Sequence, residues 1–392
     1  MFASAMPPPP KVANRSGPDG DRAMTGLSPI EEIITEARNG RPYILVDADD
    51  RENEGDIIVP AQFATPERIM MMATHARGLI CLAITEDRAR QLQLEPMSND
   101  NQSGHGTAFT VSIEAREGVT TGISAYDRAR TISVAINPQF GPADIVTPGH
   151  VFPLVARDGG VLFRAGHTEA AVDISRMAGL FPAGVICEVM NEDGTMARLP
   201  DLLPFAAKHG MKIGTIADLI QYRRRSEKLV ECVATGPFES HFGSGFTIKV
   251  YRDLLDRGEH VALVRGTIHA DSDTLVRVHQ FDLTADLLGY RNAHPDYVSA
   301  ALQQLAAHDG PVVAVFVQDP DQHSISRRVA GGRRDSANRA RDRDDGIGAQ
   351  ILKDLGVGKM TLLTSSTRKM VALEGFGLQL TGRIPIREGQ DG

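Results

Sequence analysis

Cysteine is scarce in this chain. Cys81, Cys187 and Cys232 are the only three in 392 residues, too few and too scattered for a disulfide framework, and a reducing, cytoplasmic compartment is expected. Long apolar runs are missing too. None approaches the ~20 residues that span a bilayer, so no membrane association is expected. Positive charge is not in excess: the net charge of -8 argues against a general nucleic-acid binder. The N-terminal stretch MFASAMPPPPKVANRSGPDGDRAMTG lacks the apolar h-region of a secretory signal. Asp19 and Asp21 make it a poor transit peptide, and its Pro, Gly and Ser content reads as a disordered tail over residues 1–26. No internal repeat is evident.

What is present suits a soluble globular protein, with 42% hydrophobic and 23% charged residues. The length exceeds one ordinary core and fits two domains. SPIEEIITEARNG has Ser28 as a helix cap, Pro29 at the first helical position, Glu31 completing a capping box, and one apolar face of Ile30, Ile33, Ile34 and Ala37. TPERIMMMATHARG repeats the pattern, with Thr65 as cap and Gly78 at the end. PYILVDAD, LICLAI and TAFTVSIEA read as strands, and SAYDRARTISVAI as a helix running into a strand. Helices and strands alternate, which indicates an α/β or α+β layer fold. IADLIQYRRRSEKLV is a helix leaving through an Arg-rich exit, so the first domain is expected over 27–225 and a second over 226–392. HVALVRGTI, TLVRVHQF and VVAVFV are strands of that second domain.

Several stretches carry chemistry-bearing residues. In DDRENEGDIIVP, Glu52, Glu54 and Asp56 sit two apart, so an extended chain puts all three on one side. Like charges there repel unless a cation sits between them, and clustered oxygen ligands suit Mg2+ or Mn2+. Gly55 permits a backbone conformation that bulkier residues resist. A solvated turn explains such an acidic run as well. In FRAGHTEAAVD, Arg164, Gly166 and His167 precede an Ala-rich helix with Thr168 as a natural cap. That makes a ready anion site with His167 a candidate metal ligand; a plain cap beside a surface Arg is the bland alternative. In VICEVM, Glu188 shares a strand face with Ile186 and Met190. Burial there would raise its pKa and suit a general acid or base, whereas an edge strand would leave it in water. His150, after Pro-Gly, is expected on a turn with its ring free. The Ser, Thr and Gly of NQSGHGTAFTVSIEA and TTGISAYDRA can line a polar pocket or start strands.

Together these stretches resemble one family. DDRENEGD, HARGLICLAI, HGTAFTVSIEA, TGISAYDRA, TPGHVFPL, RAGHTEAAVD and GVICEVMNEDGTMAR, in that order over residues 27 to about 225, resemble 3,4-dihydroxy-2-butanone 4-phosphate synthase. The resemblance implies a layered α/β domain with a mixed sheet and flanking helices. It implies D-ribulose 5-phosphate as substrate, formate and L-3,4-dihydroxy-2-butanone 4-phosphate as products, Mg2+ or Mn2+ as cofactor, and a homodimer. It also implies Glu52 and His167 as metal ligands, and Arg51, Glu52, Asp56, Glu188 and the run Arg164, Ala165, Gly166, His167, Thr168 at the substrate. His150 and Glu188 match the acid–base positions.

In the second half, EHVALVRGTI, LVRVH, GIGAQILKDLGV, LLTSSTRK and LEGFGL resemble GTP cyclohydrolase II, again an α/β domain. That enzyme's zinc site needs three cysteines. The first falls on Asp282, the pair falls around Ala293 to Pro295, and no cysteine follows Cys232. His279 and His294 are the nearby residues that could rebuild a site. VQDPDQHSISRRVAGG replaces the GTP-handling segment. A degenerate, inactive relative without zinc is expected; a working bifunctional enzyme and an interaction module are the rival readings. The Arg-rich stretch 327–343 lacks the aromatics of a nucleic-acid site.

Overall fold

A computed structural model of the chain describes residues 26–387 apart from 50, 99, 103, 105, 256, 289–296, 319–336 and 366–375. The expected tail up to residue 25, positions 293–295 and most of 317–332 lie outside the described residues. The chain divides into two compact units, Met1–Tyr222 and Arg223–Gly392. Among the described residues, no helix is long and apolar enough to cross a membrane.

The first unit is built on one seven-stranded sheet: β1 (Tyr43–Val46), β2 (Gly55–Pro60), β3 (Cys81–Thr85), β4 (Ile113–Ala115), β5 (Ile145–Ala156), β6 (Ala183–Glu188) and β7 (Ile213–Thr215). Its order is β4-β5-β3-β6-β2-β1-β7. The β1–β2, β2–β6, β3–β6 and β4–β5 pairs are antiparallel, and β1–β7 and β3–β5 are parallel, so the sheet is mixed as expected. Both faces are covered. Helices α1 (Ile30–Arg38), α5 (His167–Met177) and α7 (Ile216–Ser226) lie on one. Helices α2 (Pro66–Met71), α3 (Glu86–Gln91), α4 (Ala125–Ile136) and α6 (Leu199–His209) lie on the other. This is why the central strands read as unbroken apolar runs. Ile57 and Val59 enter one core, Ile58 the other, and all three are fully buried. Each such side chain contributes about 1.5–3 kcal/mol on burial, which anchors the strand whose next residue toward its start is the buried Asp56.

Local details differ from the sequence reading. Pro29, not Ser28, caps α1, without a side-chain bond; Ser28 instead ties its amide to Ile213 O at 2.7 Å. The second helix passes into a π turn and ends at Arg77 in the left-handed region rather than at Gly78. SAYDRARTISVAI is helical from Ala125 to Ile136, with Ser124 as its cap. Its β-branched Thr131, Ile132 and Val134 mimic a strand, but burial against the sheet overrides that preference.

The second unit has its own seven-stranded sheet, in the order β14-β13-β11-β12-β10-β9-β8. β8 (Val230–Ser240), β9 (Gly243–Asp253) and β10 (Glu259–Arg265) form an antiparallel meander. β11 (Asp273–Gln280), β12 (Val312–Val317), β13 (Lys359–Leu363) and β14 (Gln379–Ile384) run parallel. Helices α8 (Tyr297–Ala306) and α9 (Ala337–Asp354) accompany them, giving a second α/β unit.

Candidate active site and metal centre

The acidic stretch is a hairpin loop. Val46 of β1 pairs with Gly55 of β2, so residues 47–54 connect the two strands. The expected extended run, with Glu52, Glu54 and Asp56 alternating on one side, does not form, because Asn53 adopts φ 53° and turns the chain, a conformation Asn tolerates. Gly55 is not at a positive φ. It is needed because a Cβ there would overlap the buried side chain of Leu202 in α6.

Asp47 organises this loop. Its Oδ1 accepts the Glu54 amide at 2.8 Å, and its Oδ2 accepts the Glu52 amide at 3.1 Å and Arg51 Nη1 at 2.8 Å. Burial pushes the Asp47 carboxyl up, but these hydrogen-bond donors outweigh it and hold its pKa below the usual carboxylate range. Arg51 also reaches Glu52 Oε1 at 2.9 Å. Arg198, the residue preceding α6, donates to the carbonyls of Glu52 and Asn53. The loop is thus clamped from both sides.

The carboxylates do converge. Asp56 stands directly across from Glu188 in the β2–β6 ladder, and like charges so placed repel. Burial first, then Glu188, Glu52, Glu54 and Asp47, hold the Asp56 carboxyl well above the usual carboxylate range. Burial and the same neighbours raise Glu54. Glu188 lies on a central strand flanked by β2 and β3, not on an edge. Burial raises it, against the pull of the Leu79 amide on Oε2 at 2.8 Å. Burial and these carboxylates also push the thiols of Cys81 and Cys187 up, so neither is a ready thiolate nucleophile.

His167 opens α5 beneath this cluster. Its Nε2 lies 3.1 Å from Leu45 O; a carbonyl only accepts, so Nε2 carries the proton and Nδ1 keeps its lone pair, 3.7 Å from Asp56 Oδ1. Burial lowers the ring's pKa and favours the neutral form that a metal requires. One ligand atom each from Asp47, Glu52 and His167 lie within 4.8 Å of one another. Carboxylate oxygens with one imidazole suit Mg2+ or Mn2+. Asp47 also orients the loop, since both of its oxygens accept hydrogen bonds from it.

Thr168 does not cap the helix; Gly166 does, and Thr168 is buried in the first turn. The amides of His167, Thr168 and Glu169 precede the first intrahelical bond, from Ala170 N to Gly166 O at 3.0 Å, so this end can receive an anion. Arg164 is no surface residue. It pairs with the buried Glu169 at 2.7 Å and reaches Thr107 Oγ1 at 3.1 Å, joining the RAGHT run (Ala165 included) to HGTAFT. His150 is neither on a turn nor free. It lies in β5, and its Nδ1 meets Glu114 Oε2 at 2.8 Å. Phe152, two residues on, packs on the face that carries Ile58 and Ile186, and Cys81 of β3 pairs with both Phe152 and Ile186, so β3 separates β5 from β6. The sequence reading missed Asp47, Arg198 and Glu114. Asp47 falls within PYILVDAD, which reads as a strand, and the other two act across 146 and 36 residues, beyond the reach of any local pattern.

The family profile described as 3,4-dihydroxy-2-butanone 4-phosphate synthase matches residues 31–222. The riboflavin biosynthesis protein RibBA of Aquifex aeolicus is 50% identical over 384 residues, spanning 94% of this chain and 94% of that protein. The chain belongs to the 3,4-dihydroxy-2-butanone 4-phosphate synthase family. Membership makes it an enzyme of riboflavin biosynthesis. A Neisseria meningitidis serogroup B protein named for the same synthase is 46% identical over 359 residues, covering 92% of this chain and 98% of its own length. A solved structure of RibBX, a two-domain synthase from A. baumannii, matches with TM-score 0.72 and 43% identity over 91% of this chain and 99% of that one. The GTP cyclohydrolase II profile matches residues 231–385 of this synthase family member.

Proposed function

We propose that residues 27–225 convert D-ribulose 5-phosphate to L-3,4-dihydroxy-2-butanone 4-phosphate and formate in the cytoplasm, using Mg2+ or Mn2+ at Glu52 and His167. The observation that carries this reading is the convergence of Asp47, Glu52 and the neutral His167 on a buried, mutually repelling Asp56–Glu188 pair. When bound, the divalent ion supplies Lewis-acid polarisation of neighbouring sugar oxygens. The chain's own residues do the rest. Arg51 and Asp56 flank the substrate, and the α5 N-terminus with the RAGHT run receives the phosphate. Glu188, whose pKa burial raises, takes or gives a proton, and His150 handles a second proton. A homodimer would cover apolar side chains left exposed on this unit, among them Tyr126 and Phe163. The test is formate release from ribulose 5-phosphate by the purified full chain. Release is expected with Mg2+ or Mn2+ and its loss after exhaustive EDTA treatment; full activity without divalent ions would exclude the metal site.

The second unit is proposed to lack GTP cyclohydrolase activity and zinc. Asp282, at the first expected cysteine position, accepts the Thr284 amide at 3.0 Å and hydroxyl at 2.7 Å, and so caps a turn. His279 spends both ring nitrogens, on Arg277 at 3.0 Å and Asp286 at 2.8 Å. Neither supplies the soft thiolates of a cyclohydrolase zinc site. The profile match over 231–385 favours the alternative of a working cyclohydrolase. Zinc analysis of protein purified without chelator, paired with GTP depletion, decides between them. No stoichiometric zinc and no GTP turnover are expected, and one zinc per chain with GTP consumed would restore the bifunctional reading.

A further inference from the structure

We propose that Glu114 is the positioning residue of His150, an inference that rests on His150 handling a proton in the reaction proposed above. Glu114 lies in β4 between Ile113 and Ala115, which are 0% and 1% exposed. A carboxylate there is costly unless it finds a partner. Its partner is His150: Oε2 sits 2.8 Å from Nδ1, with the glutamate side chain 12% exposed and the histidine 43%. An ionised carboxylate only accepts, so the proton resides on Nδ1. Nε2 is then the nitrogen left to exchange a proton with substrate. A buried carboxylate behind a half-exposed imidazole is the arrangement in which an orienting acid fixes the tautomer of a general base.

The backbone around the pair is shaped for this contact. β5 loses register opposite β4: Ile113 pairs with Val151, but Glu114 pairs with Val146 and Ala115 with Ile145. Residues 147–150 are therefore extra on the β5 side, a bulge of the kind that re-aims a side chain. Two side chains flanking Ile113 tether it. Ser112 Oγ accepts the Gly149 amide at 3.1 Å, and Glu114 holds the ring. Glycines make the room. A Cβ on Gly149 would overlap the Ile113 carbonyl, and one on Gly122, at φ 88°, would overlap Glu114 Oε1. Gly122 is itself held by Asp127, whose Oδ2 accepts its amide at 3.0 Å and the Thr120 hydroxyl at 2.8 Å. The stretches TTGIS and TPGH, distant in sequence, thus meet at Glu114.

Three variants of the full chain test the role: Glu114→Gln, Glu114→Asp and His150→Gln. The glutamine amide can donate to Nδ1, which moves the ring proton to Nε2. We expect Glu114→Gln to lose on the order of a hundredfold or more in kcat, with KM, melting temperature and Mn2+ binding near wild type. Long-range 15N NMR of His150 should show the proton transferred from Nδ1 to Nε2. Glu114→Asp keeps an ionised acceptor and should recover most of kcat together with the Nδ1–H tautomer. His150→Gln should be at least as impaired as Glu114→Gln. An active His150→Gln would overturn the reading of His150 itself. An inactive His150→Gln beside a Glu114→Gln within a few-fold of wild type would overturn only the positioning role. Should Glu114→Gln unfold, Glu114→Asp decides: full activity with the Nδ1–H tautomer lost overturns the proposal, and activity tracking that tautomer supports it.

Discussion

His167→Gln is expected to bind Mn2+ at least tenfold more weakly and to release formate on the order of a thousandfold more slowly than wild type. The glutamine amide occupies the place of Nε2 and can still donate to Leu45 O, so the buried contact at 3.1 Å is conserved and the fold should hold. What the variant loses is Nδ1, the ring nitrogen facing Asp56 and the loop carboxylates. Lewis-acid assistance is worth several kcal/mol, and each 1.36 kcal/mol is tenfold in rate, which sets the expected size. Electron paramagnetic resonance of free Mn2+ during titration reads the binding directly, and the formate assay reads the consequence. Wild-type binding and turnover in this variant would move the metal away from His167. Loss of turnover with Mn2+ binding intact would assign His167 to the substrate alone.

Much of this site was legible because its residues fall in short runs with a local period. The apolar face of α1 follows from a spacing of three and four, and Ile30, Ile33, Ile34 and Ala37 are all buried. The apolar run Ile57–Val59 marks a strand buried on both faces. Glu188 on an apolar strand implied a raised pKa, and the central position of β6 supplies the reason. Illegible features depended on chain-distant neighbours or backbone angles. A spacing of two among Glu52, Glu54 and Asp56 suggested an extended chain, yet Asn53 turns it, and the same three carboxylates meet by another route. Nothing local to His150 reveals Glu114, because a register shift between two strands brings them together. Gly55 was noticeable as a glycine, but its cause, the nearness of Leu202, lies in a helix well over a hundred positions further on. In the second unit the missing cysteines are visible in the sequence, whereas the turn that Asp282 caps instead is visible only in three dimensions.

Glu188→Gln should retain the fold and lose on the order of a hundredfold or more in turnover. Gln matches Glu in shape and can still meet the Leu79 amide, now through its carbonyl oxygen, so the 2.8 Å contact need not break. It cannot gain or lose a proton near neutrality, and an acid–base group in the transition state is worth roughly 10²–10⁴-fold. Stability should move the other way. Burial raises the Glu188 pKa in the folded chain, so the ionised form is disfavoured there relative to the unfolded chain. The contribution of such a group to stability is complete below the unfolded carboxylate pKa and is lost as pH rises through the raised folded value. Gln does not titrate, and it also removes one of two like charges facing each other across β2 and β6. Compared free of divalent ions, the variant should melt above wild type at pH 7, and the two should converge as pH falls below the usual carboxylate range. Turnover within a few-fold of wild type would make Glu188 structural only. Equal melting temperatures at both pH values would show that its carboxyl is not raised by burial, and the acid–base assignment would then lose its electrostatic basis.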